Sequence, residues 1–267
     1  MRKILYLLIL LSAIVATIGC SNTEEQQRLS REERQAQRRA DSAALKIGVM
    51  PTEDCLPIVV AKGLKLFDTL GVDVRLRKYH ALMECRKALT DSIVEGAAID
   101  TTLMALINSR SEVLYSGIKT DLHWQFLTAR KSRISRLDQM TDKMIAADGR
   151  GESFRLAESA IDSLRKRKAP IFIIQCEDVR VRYGMLINGN VDAALLPEPY
   201  ATKARKQGAK VIGKVVSRPA GVVAFRKNGM KGTERQRQYE LFMKAVAIAN
   251  DSIRLYGKDK YLKLLEW

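Results

Sequence analysis

The chain has 267 residues, of which 46% are hydrophobic, and a formal net charge of +16. This length is enough for one large domain or two smaller lobes with a real core. The positive charge is compatible with nucleic acid, an anionic membrane face or small anions as partners. The basic residues are scattered, however, and aromatic residues do not alternate with them, which argues against nucleic acid and favours a solvated basic surface near anionic lipid.

The first 20 residues have the pattern of a lipoprotein export signal. Arg2 and Lys3 give a positive start, a short apolar run follows, and small residues precede Cys20. The apolar run is too short for a comfortable membrane span. We predict a signal peptide over residues 1–19 and a lipid on Cys20, which would anchor the protein to a lipid bilayer in the cell envelope, as a periplasmic or outer-leaflet lipoprotein. Ordinary signal cleavage or an uncleaved anchor are the alternatives.

Residues 20–44 are predicted to form a flexible tether between the anchor and a globular body. Leu29 is the only large aliphatic residue in this segment, so it cannot bury enough apolar surface to fold alone. An isolated helix between Arg31 and Arg39 is the alternative, because Glu and Arg mix there at helical spacing.

From Leu45 onward the pattern alternates between strands and helices, which predicts a mostly parallel sheet covered by helices. The predicted strands are Leu45–Met50, Val72–Leu76, Gly96–Ile99, Val113–Gly117, His123–Ala129, Met144–Ala147, Ile171–Ile174, Asp192–Leu196, Val211–Val216 and Val222–Phe225. The longer predicted helices are Ser153–Arg167, Val181–Asn188, Glu198–Gln207 and Arg235–Tyr256. Two strands between residues 113 and 129 follow each other with little helix between them, which suits a crossover between two lobes.

Three cysteines follow Cys20, namely Cys55, Cys85 and Cys176. An odd number in an exported protein is compatible with one disulfide and one free thiol, or with three buried thiols. None of them forms a C-x-x-C pair, so their spacing does not indicate a zinc site.

Several segments resemble the type 2 periplasmic substrate-binding proteins of ABC importers, and in particular the binders of sulfonates, taurine and thiamine precursors. These segments are the strand and turn Leu45–Pro51, the helix and strand Leu56–Val74, and Val191–Ala201, whose Glu-Pro turn makes it the most specific. Their order and separation also fit, and the resemblance covers about Leu45 to Tyr256.

The resemblance implies an α/β fold of two lobes, each a mostly parallel sheet covered by helices, with the ligand in the cleft between them. We expect lobe I to comprise residues 45–128 and 215–267, and lobe II to comprise residues 129–214. The chain stops soon after its long last helix, where relatives commonly continue.

The function implied is that of a monomeric, lipid-anchored receptor that delivers a small polar or anionic molecule to an ABC permease, without a cofactor or catalysis. The sequence has two distant histidines, no G-x-S-x-G elbow and no phosphate-binding P-loop, so it offers no catalytic set. The alternatives are an enzyme of the same fold, similar to thiamine-pyrimidine synthases or menaquinone-pathway lyases, and a ligand-sensing module without a transporter. The export signal argues against the enzymes, and the dense cysteine cluster of the synthases is absent.

Ligands of open α/β sheets lie beyond the carboxyl ends of the strands, near helix N-termini that favour anions. Side chains that follow the predicted strands are therefore the candidates for ligand binding. They are Met50, Thr52, Cys55, His80, Arg86, Thr101, Thr102, Gly151, Ser153, Cys176 and Glu198.

Several of these candidates have a structural alternative. The threonines are also good helix caps, and Arg86 either receives a carboxylate or sulfonate or is simply solvated. Gly151 and Ser153 form either an anion cradle or a plain turn, and Cys176 is equally suited to a buried position. Glu198 either lines the cleft or fixes the hinge turn.

In the implied fold the first two strands are neighbours, so the loops that follow them are close. We therefore expect Cys55 and Cys85 to lie within bridging reach and to form a disulfide. A soft metal site made by His80 with Met50, Cys55 and Met83 is the less favoured alternative, and no metal is predicted.

Overall fold

The computed structural model describes residues 31–109, 114–164, 170–212 and 220–267. The predicted signal peptide, Cys20, residues 21–30 of the predicted tether, Val113 and residues 213–216 of two predicted strands, and residues 165–167 of a predicted helix lie outside these ranges. The chain divides into two units, Met1–Ala44 and Leu45–Trp267. In the described part of the first unit, residues 31–43 form helix α1, so this part of the predicted tether takes the helical alternative. Among the described residues, no helix combines the length and the apolar character that a membrane span requires.

The second unit alternates strands and helices as the sequence predicts, although the ends of individual elements differ by a few residues. Its strands are β1 Leu45–Val49, β2 Val74–Lys78, β3 Gly96–Asp100, β4 Leu114–Thr120, β5 Trp124–Thr128, β6 Met144–Ala147, β7 Phe172–Gln175, β8 Ala193–Pro197, β9 Lys210–Val211 and β10 Gly221–Arg226. Its helices are α2 Leu56–Gly63, α3 Leu66–Thr69, α4 Leu82–Thr90, α5 Thr101–Asn108, α6 Glu152–Leu164, α7 Val179–Asn188, α8 Tyr200–Lys206 and α9 Thr233–Tyr256.

The strands form two mixed five-stranded sheets, in the orders β2-β1-β3-β10-β4 and β7-β6-β8-β5-β9. In the first sheet β1 is parallel to β2 and β3, whereas β10 is antiparallel to β3 and β4. In the second sheet β6 is parallel to β7 and β8, whereas β5 is antiparallel to β8 and β9. We call the first sheet with its helices the first lobe, and the second sheet with its helices the second lobe.

The passage between the lobes differs from the sequence-based expectation, which placed the boundary after residue 128. Strand Trp124–Thr128 pairs with β8 and β9 and therefore belongs to the second lobe. The chain thus leaves the first sheet within residues 121–123, directly after β4. The hydrophobic pattern identifies two successive strands here, but it contains no information about which sheet each strand joins.

The central strands are buried because helices pack against each sheet. Every residue of β3, β8 and β10 is buried, which explains why these strands are largely apolar, with Asp100 and Arg226 as the last residues of β3 and β10.

Phe225 in β10 lies at the centre of the first lobe and depends on two glycines for its space. A Cβ atom at Gly96 would lie 2.7 Å from the Phe225 ring, and one at Gly117 would lie 2.6 Å from it. The ring cannot move aside, because the rings of Tyr239 and Phe242 lie 5.1 and 5.9 Å from it, centroid to centroid. The two glycines are therefore required by packing.

We expect Gly96→Ala to lower the free energy of unfolding by about 1–3 kcal/mol, because the added methyl group overpacks the core against Phe225. The matched control is Gly184→Ala within α7, where no atom lies within 4 Å of the new Cβ other than those of the neighbouring residues and of the helix backbone. That variant should be neutral or more stable by up to about 1 kcal/mol. Urea unfolding of both variants measures the difference, and equal stabilities would contradict the packing argument.

Candidate functional site

The two lobes meet through the loops that follow their parallel strands, and we call this contact region the interlobe face. Glu53, after β1, donates its backbone N–H to the carbonyl oxygen of Glu198, after β8, at 2.9 Å. Val179, at the start of α7, donates its N–H to the carbonyl oxygen of His80, after β2, at 3.1 Å. The strand ends of both sheets therefore point toward each other, as a cleft between lobes requires.

A third contact across the interlobe face involves the carboxylate of Asp100, the last residue of β3. Its Oδ1 atom accepts the N–H of Leu103 at 2.6 Å and so caps α5. Its Oδ2 atom accepts the N–H of Glu152, the first residue of α6 in the other lobe, at 2.7 Å. Next to it, the Thr102 hydroxyl donates to Glu152 Oε2 at 2.7 Å. One carboxylate thus joins the N-terminal ends of two helices from different lobes.

Burial dominates the chemistry of this carboxylate. Asp100 is 0% exposed, and burial raises its pKa to about 7, with the nearby charges of Asp148 and Glu152 acting in the same direction. The two N–H donors lower the pKa, but by less than burial raises it.

The turn that opens α6 is held by a second buried carboxylate, that of Asp148. Its Oδ1 atom accepts the N–H groups of Arg150 and Gly151 at 3.2 and 2.7 Å. The Ser153 hydroxyl donates to Asp148 Oδ2 and accepts the N–H of Asp148 at 3.0 Å. Gly149 donates its N–H to Oε1 of Glu177, after β7, at 2.8 Å. The predicted anion cradle around Gly151 and Ser153 is therefore filled by carboxylates of the protein itself.

Arg182 in α7 organises the second-lobe side of the interlobe face. It is 1% exposed, and burial lowers its pKa. Its guanidinium donates to the carbonyl oxygens of Cys176 and Leu195, each at 3.0 Å, and lies over the Trp124 ring at 5.4 Å from the centroid. Sequence analysis missed this residue because it alternates with valines and a second arginine in a helix that shows no clear apolar face.

An open cavity of about 550 Å³ lies between α4 of the first lobe and the β7–α7 loop of the second. It is lined by Ala81, Met83, Glu84, Arg86, Lys87, Thr90, Glu177 and Asp178. Within the described part of the chain, Arg86 Nε and Glu177 Oε2 are buried atoms without a hydrogen-bond partner. Burial also raises the pKa of Glu177, despite the N–H that Gly149 donates to it. The cavity therefore has one unused donor and one unused acceptor beside it.

The other predicted site residues have structural partners. The loop after β1 closes on itself, because the Met50 N–H and the Thr52 hydroxyl contact Cys55 Sγ at 3.4 and 3.9 Å. Thr101 is exposed, and its N–H donates to the carbonyl oxygen of Ala220 at 2.8 Å. His80 donates its backbone N–H to Glu84 Oε2 at 2.8 Å, whereas its ring atom Nδ1 is buried without a hydrogen-bond partner in the described part of the chain.

The Glu198 carboxylate fixes the turn between β8 and α8. It accepts the side-chain amide of Gln125 at 2.7 Å, the N–H of Thr202 at 2.8 Å and the Arg205 guanidinium at 3.0 Å. Its side chain thus bonds within the second lobe, and its backbone carbonyl accepts the N–H of Glu53 from the first lobe.

Comparison with known proteins supports the same architecture. A sequence model described as the NMT1-like family matches residues 38–161, which is just under half of the chain. No curated protein matches the sequence.

Solved structures match over most of the chain. A zinc-bound ligand-binding component of an ABC-type import system from Staphylococcus aureus has a TM-score of 0.67 at 13% identity, covering 83% of this chain and 78% of its own. The nitrate-binding protein of Synechocystis PCC 6803 has a TM-score of 0.68 at 14% identity. The match covers 84% of this chain and 66% of the nitrate-binding protein. The aliphatic sulphonate binding protein of Escherichia coli has a TM-score of 0.62 at 17% identity. The match covers 83% of this chain and 77% of the sulphonate binding protein.

This chain has the periplasmic binding protein fold. At these identities the likeness establishes the fold alone, and it confirms the predicted α/β architecture of helix-covered sheets. In this fold the interlobe face corresponds to the edge where strand ends and helix N-termini converge.

The expected disulfide between Cys55 and Cys85 is absent, since Cys55, Cys85 and Cys176 are all free thiols in the structure. Cys55 Sγ is enclosed by its own loop, and Cys85 is buried on the core side of α4. Burial raises the pKa of both thiols. Among the described residues, no group of three or more His, Cys, Asp or Glu side chains is arranged to hold a metal ion.

The Asp100 pKa predicts how stability depends on pH. Because its folded-state pKa of about 7 lies above the ordinary value of 3.8, the native state binds more protons than the unfolded state between these values. The free energy of unfolding should therefore fall as pH rises from about 4 to about 7, by up to about 1.4 kcal/mol per pH unit from this group.

Asp100→Asn should make this slope shallower, and urea unfolding across the pH range measures it. Asp259→Asn, at an exposed position, is the matched control and should keep the original slope. An unchanged slope in Asp100→Asn would show that Asp100 ionises normally.

Proposed function

We propose that this protein is a monomeric, lipid-anchored receptor in the cell envelope that binds a small polar solute and delivers it to an ABC permease. The observation that carries the proposal is the pair of sheets whose strand ends face each other across the interlobe face, with an open cavity beside it. The three structural neighbours described above are named as binding proteins, which supports a receptor without catalysis.

The cavity supports a ligand with both a hydrogen-bond acceptor and a donor. A buried polar atom without a partner costs about 1–3 kcal/mol, so a ligand that satisfied Arg86 Nε and Glu177 Oε2 would recover this energy. Arg86 belongs to α4 of the first lobe, whereas Glu177 belongs to the β7–α7 loop of the second. A ligand that bonded to both would hold the lobes together.

Lobe closure supplies the signal in this proposal. The contacts between the lobes include single backbone hydrogen bonds, such as those of Glu53 with Glu198 and of Val179 with His80, and the bond of Glu152 to Asp100. A ligand that contacts both lobes binds the closed arrangement more tightly than an open one, and so shifts the population toward it. The permease would then recognise the closed, loaded receptor.

Lipid anchoring rests on the sequence pattern that ends at Cys20. We expect cells grown with a clickable fatty acid to label the full-length protein, because the acyl chains attach at this cysteine. Cys20→Ala should abolish the label and release the protein from the membrane fraction. Equal labelling of both proteins would contradict the anchor and leave the receptor proposal unaffected.

Ligand binding is tested by a thermal-shift screen of amino acids, amines, carboxylates, sulfonates and thiamine precursors. A true ligand at a hundredfold excess over its Kd should stabilise the protein by about 2.7 kcal/mol. Arg86→Ala and Glu177→Gln should each weaken binding of the hit by about tenfold or more, because each removes one hydrogen bond that involves a charged group.

Arg254→Ala is the matched control, since this arginine is 82% exposed on α9, far along the chain from either cavity residue. Its affinity for the hit should equal that of the unmodified protein. A hit that retained full affinity in both cavity variants would place the ligand elsewhere.

A further inference from the structure

The turn that opens α6 has its backbone donors occupied by carboxylates of the protein. The N–H of Gly149 bonds to Glu177, those of Arg150 and Gly151 bond to Asp148, and that of Glu152 bonds to Asp100. A helix N-terminus attracts anions because its N–H groups are unpaired and carry partial positive charge. Four successive donors of this turn already have a carboxyl group of the protein as their partner.

Asp100 differs from the other two carboxylates because it comes from the opposite lobe. Asp148 and Glu177 belong to the second lobe, as α6 does, whereas Asp100 ends β3 of the first lobe. Its two oxygen atoms accept the N–H groups of Leu103 and Glu152 at 2.6 and 2.7 Å. A small oxyanion bound between two helix N-termini would accept the same kind of N–H groups. The carboxylate is thus an internal substitute for such an ion.

The close approach of Asp100 to α6 depends on Gly151. A Cβ atom at this position would lie 2.5 Å from Asp100 Oδ2 and 3.0 Å from Asp148 Oδ2. The glycine therefore makes room for two carboxylates of the protein, and not for an external ligand.

The surroundings of Asp100 oppose a second anion. Asp148 and Glu152 are both buried close to it. The positive charge of Arg155 also lies near Asp100, but its guanidinium is already bound in an ion pair to Glu152. An entering sulfate, nitrate or sulfonate would have to displace Asp100 and would meet the negative charge of its neighbours.

We propose that Asp100 determines the specificity of the cleft by occupying the anion position at the start of α6, so that the receptor rejects free oxyanions and accepts ligands without net negative charge. This inference rests on the proposed receptor function, because Asp100 and the cavity-lining Glu177 both bond to the turn that opens α6 on the interlobe face. A ligand without net negative charge would differ from nitrate and aliphatic sulphonate, the ligands for which two of the structural neighbours are named.

Asp100→Ser tests the proposal, because serine keeps the cap on α5 but is too short to reach α6. The probes are sodium sulfate, sodium nitrate and sodium methanesulfonate, titrated by calorimetry at constant ionic strength. We expect the unmodified protein to bind none of them at millimolar concentration. The variant should bind at least one of these ions with a Kd about tenfold or more below the highest concentration at which the unmodified protein shows no binding. Binding should also shift the Glu152 amide resonance.

Asp259→Ser makes the same change of charge at an exposed site and should gain no binding. If Asp100→Ser does not fold, as judged by circular dichroism, Asp100→Thr replaces it, because threonine also caps a helix and is too short to reach α6. Oxyanion binding by the unmodified protein at the level of the variant would overturn the proposal.

A folded variant without oxyanion binding and without a Glu152 shift would also overturn it. Neither result bears on receptor function, which depends on whether the unmodified protein binds any solute in the thermal-shift screen. A neutral or cationic hit there would leave the receptor proposal standing even if the role of Asp100 failed.

Discussion

The buried carboxylate of Asp100 is bonded to both lobes at once, and the geometry of the interlobe face is built around it. It ends a central strand, caps α5 and reaches the first N–H of α6 in the second lobe. An ionised carboxylate without exposure to water is costly unless it receives hydrogen bonds. Its two backbone donors come from different lobes, so separation of the lobes would leave one oxygen without its partner. Water would then have to enter and replace the lost bond.

In the second lobe, buried charged side chains hold the backbone that presents the N–H of Glu152 to Asp100. Arg182 ties the carbonyl oxygens of Cys176 and Leu195 together beneath the interlobe face, and Asp148 folds the turn so that Glu152 N–H points at Asp100. Buried charges of this kind are tolerated because each is bonded to several groups in fixed positions. The arrangement of α6 is thus set before any ligand arrives.

The sequence predicted the fold well because fold depends on patterns that are repeated along the chain. The alternation of apolar strands with amphipathic helices, and the Glu-Pro turn after β8, led to the two helix-covered sheets that the structure contains. The site was harder to predict. Gly151 and Ser153 suggested an open anion cradle, but nothing local to them reveals that Asp100, fifty residues earlier, fills it. The partners of a buried charge are set by tertiary contacts, which hydrophobic periodicity does not encode.

The position of β10 in the first sheet has a consequence for the order in which the protein is completed during synthesis. This strand lies between β3 and β4, yet it is made after every strand of the second lobe. Until residues 221–226 leave the ribosome, β3 and β4 have no common partner, and each presents an unpaired edge that invites association with other chains. The second lobe, whose strands run without interruption from β5 to β9, needs no later segment. The nascent protein therefore carries a finished second lobe beside a first lobe that stays open until its last strand arrives.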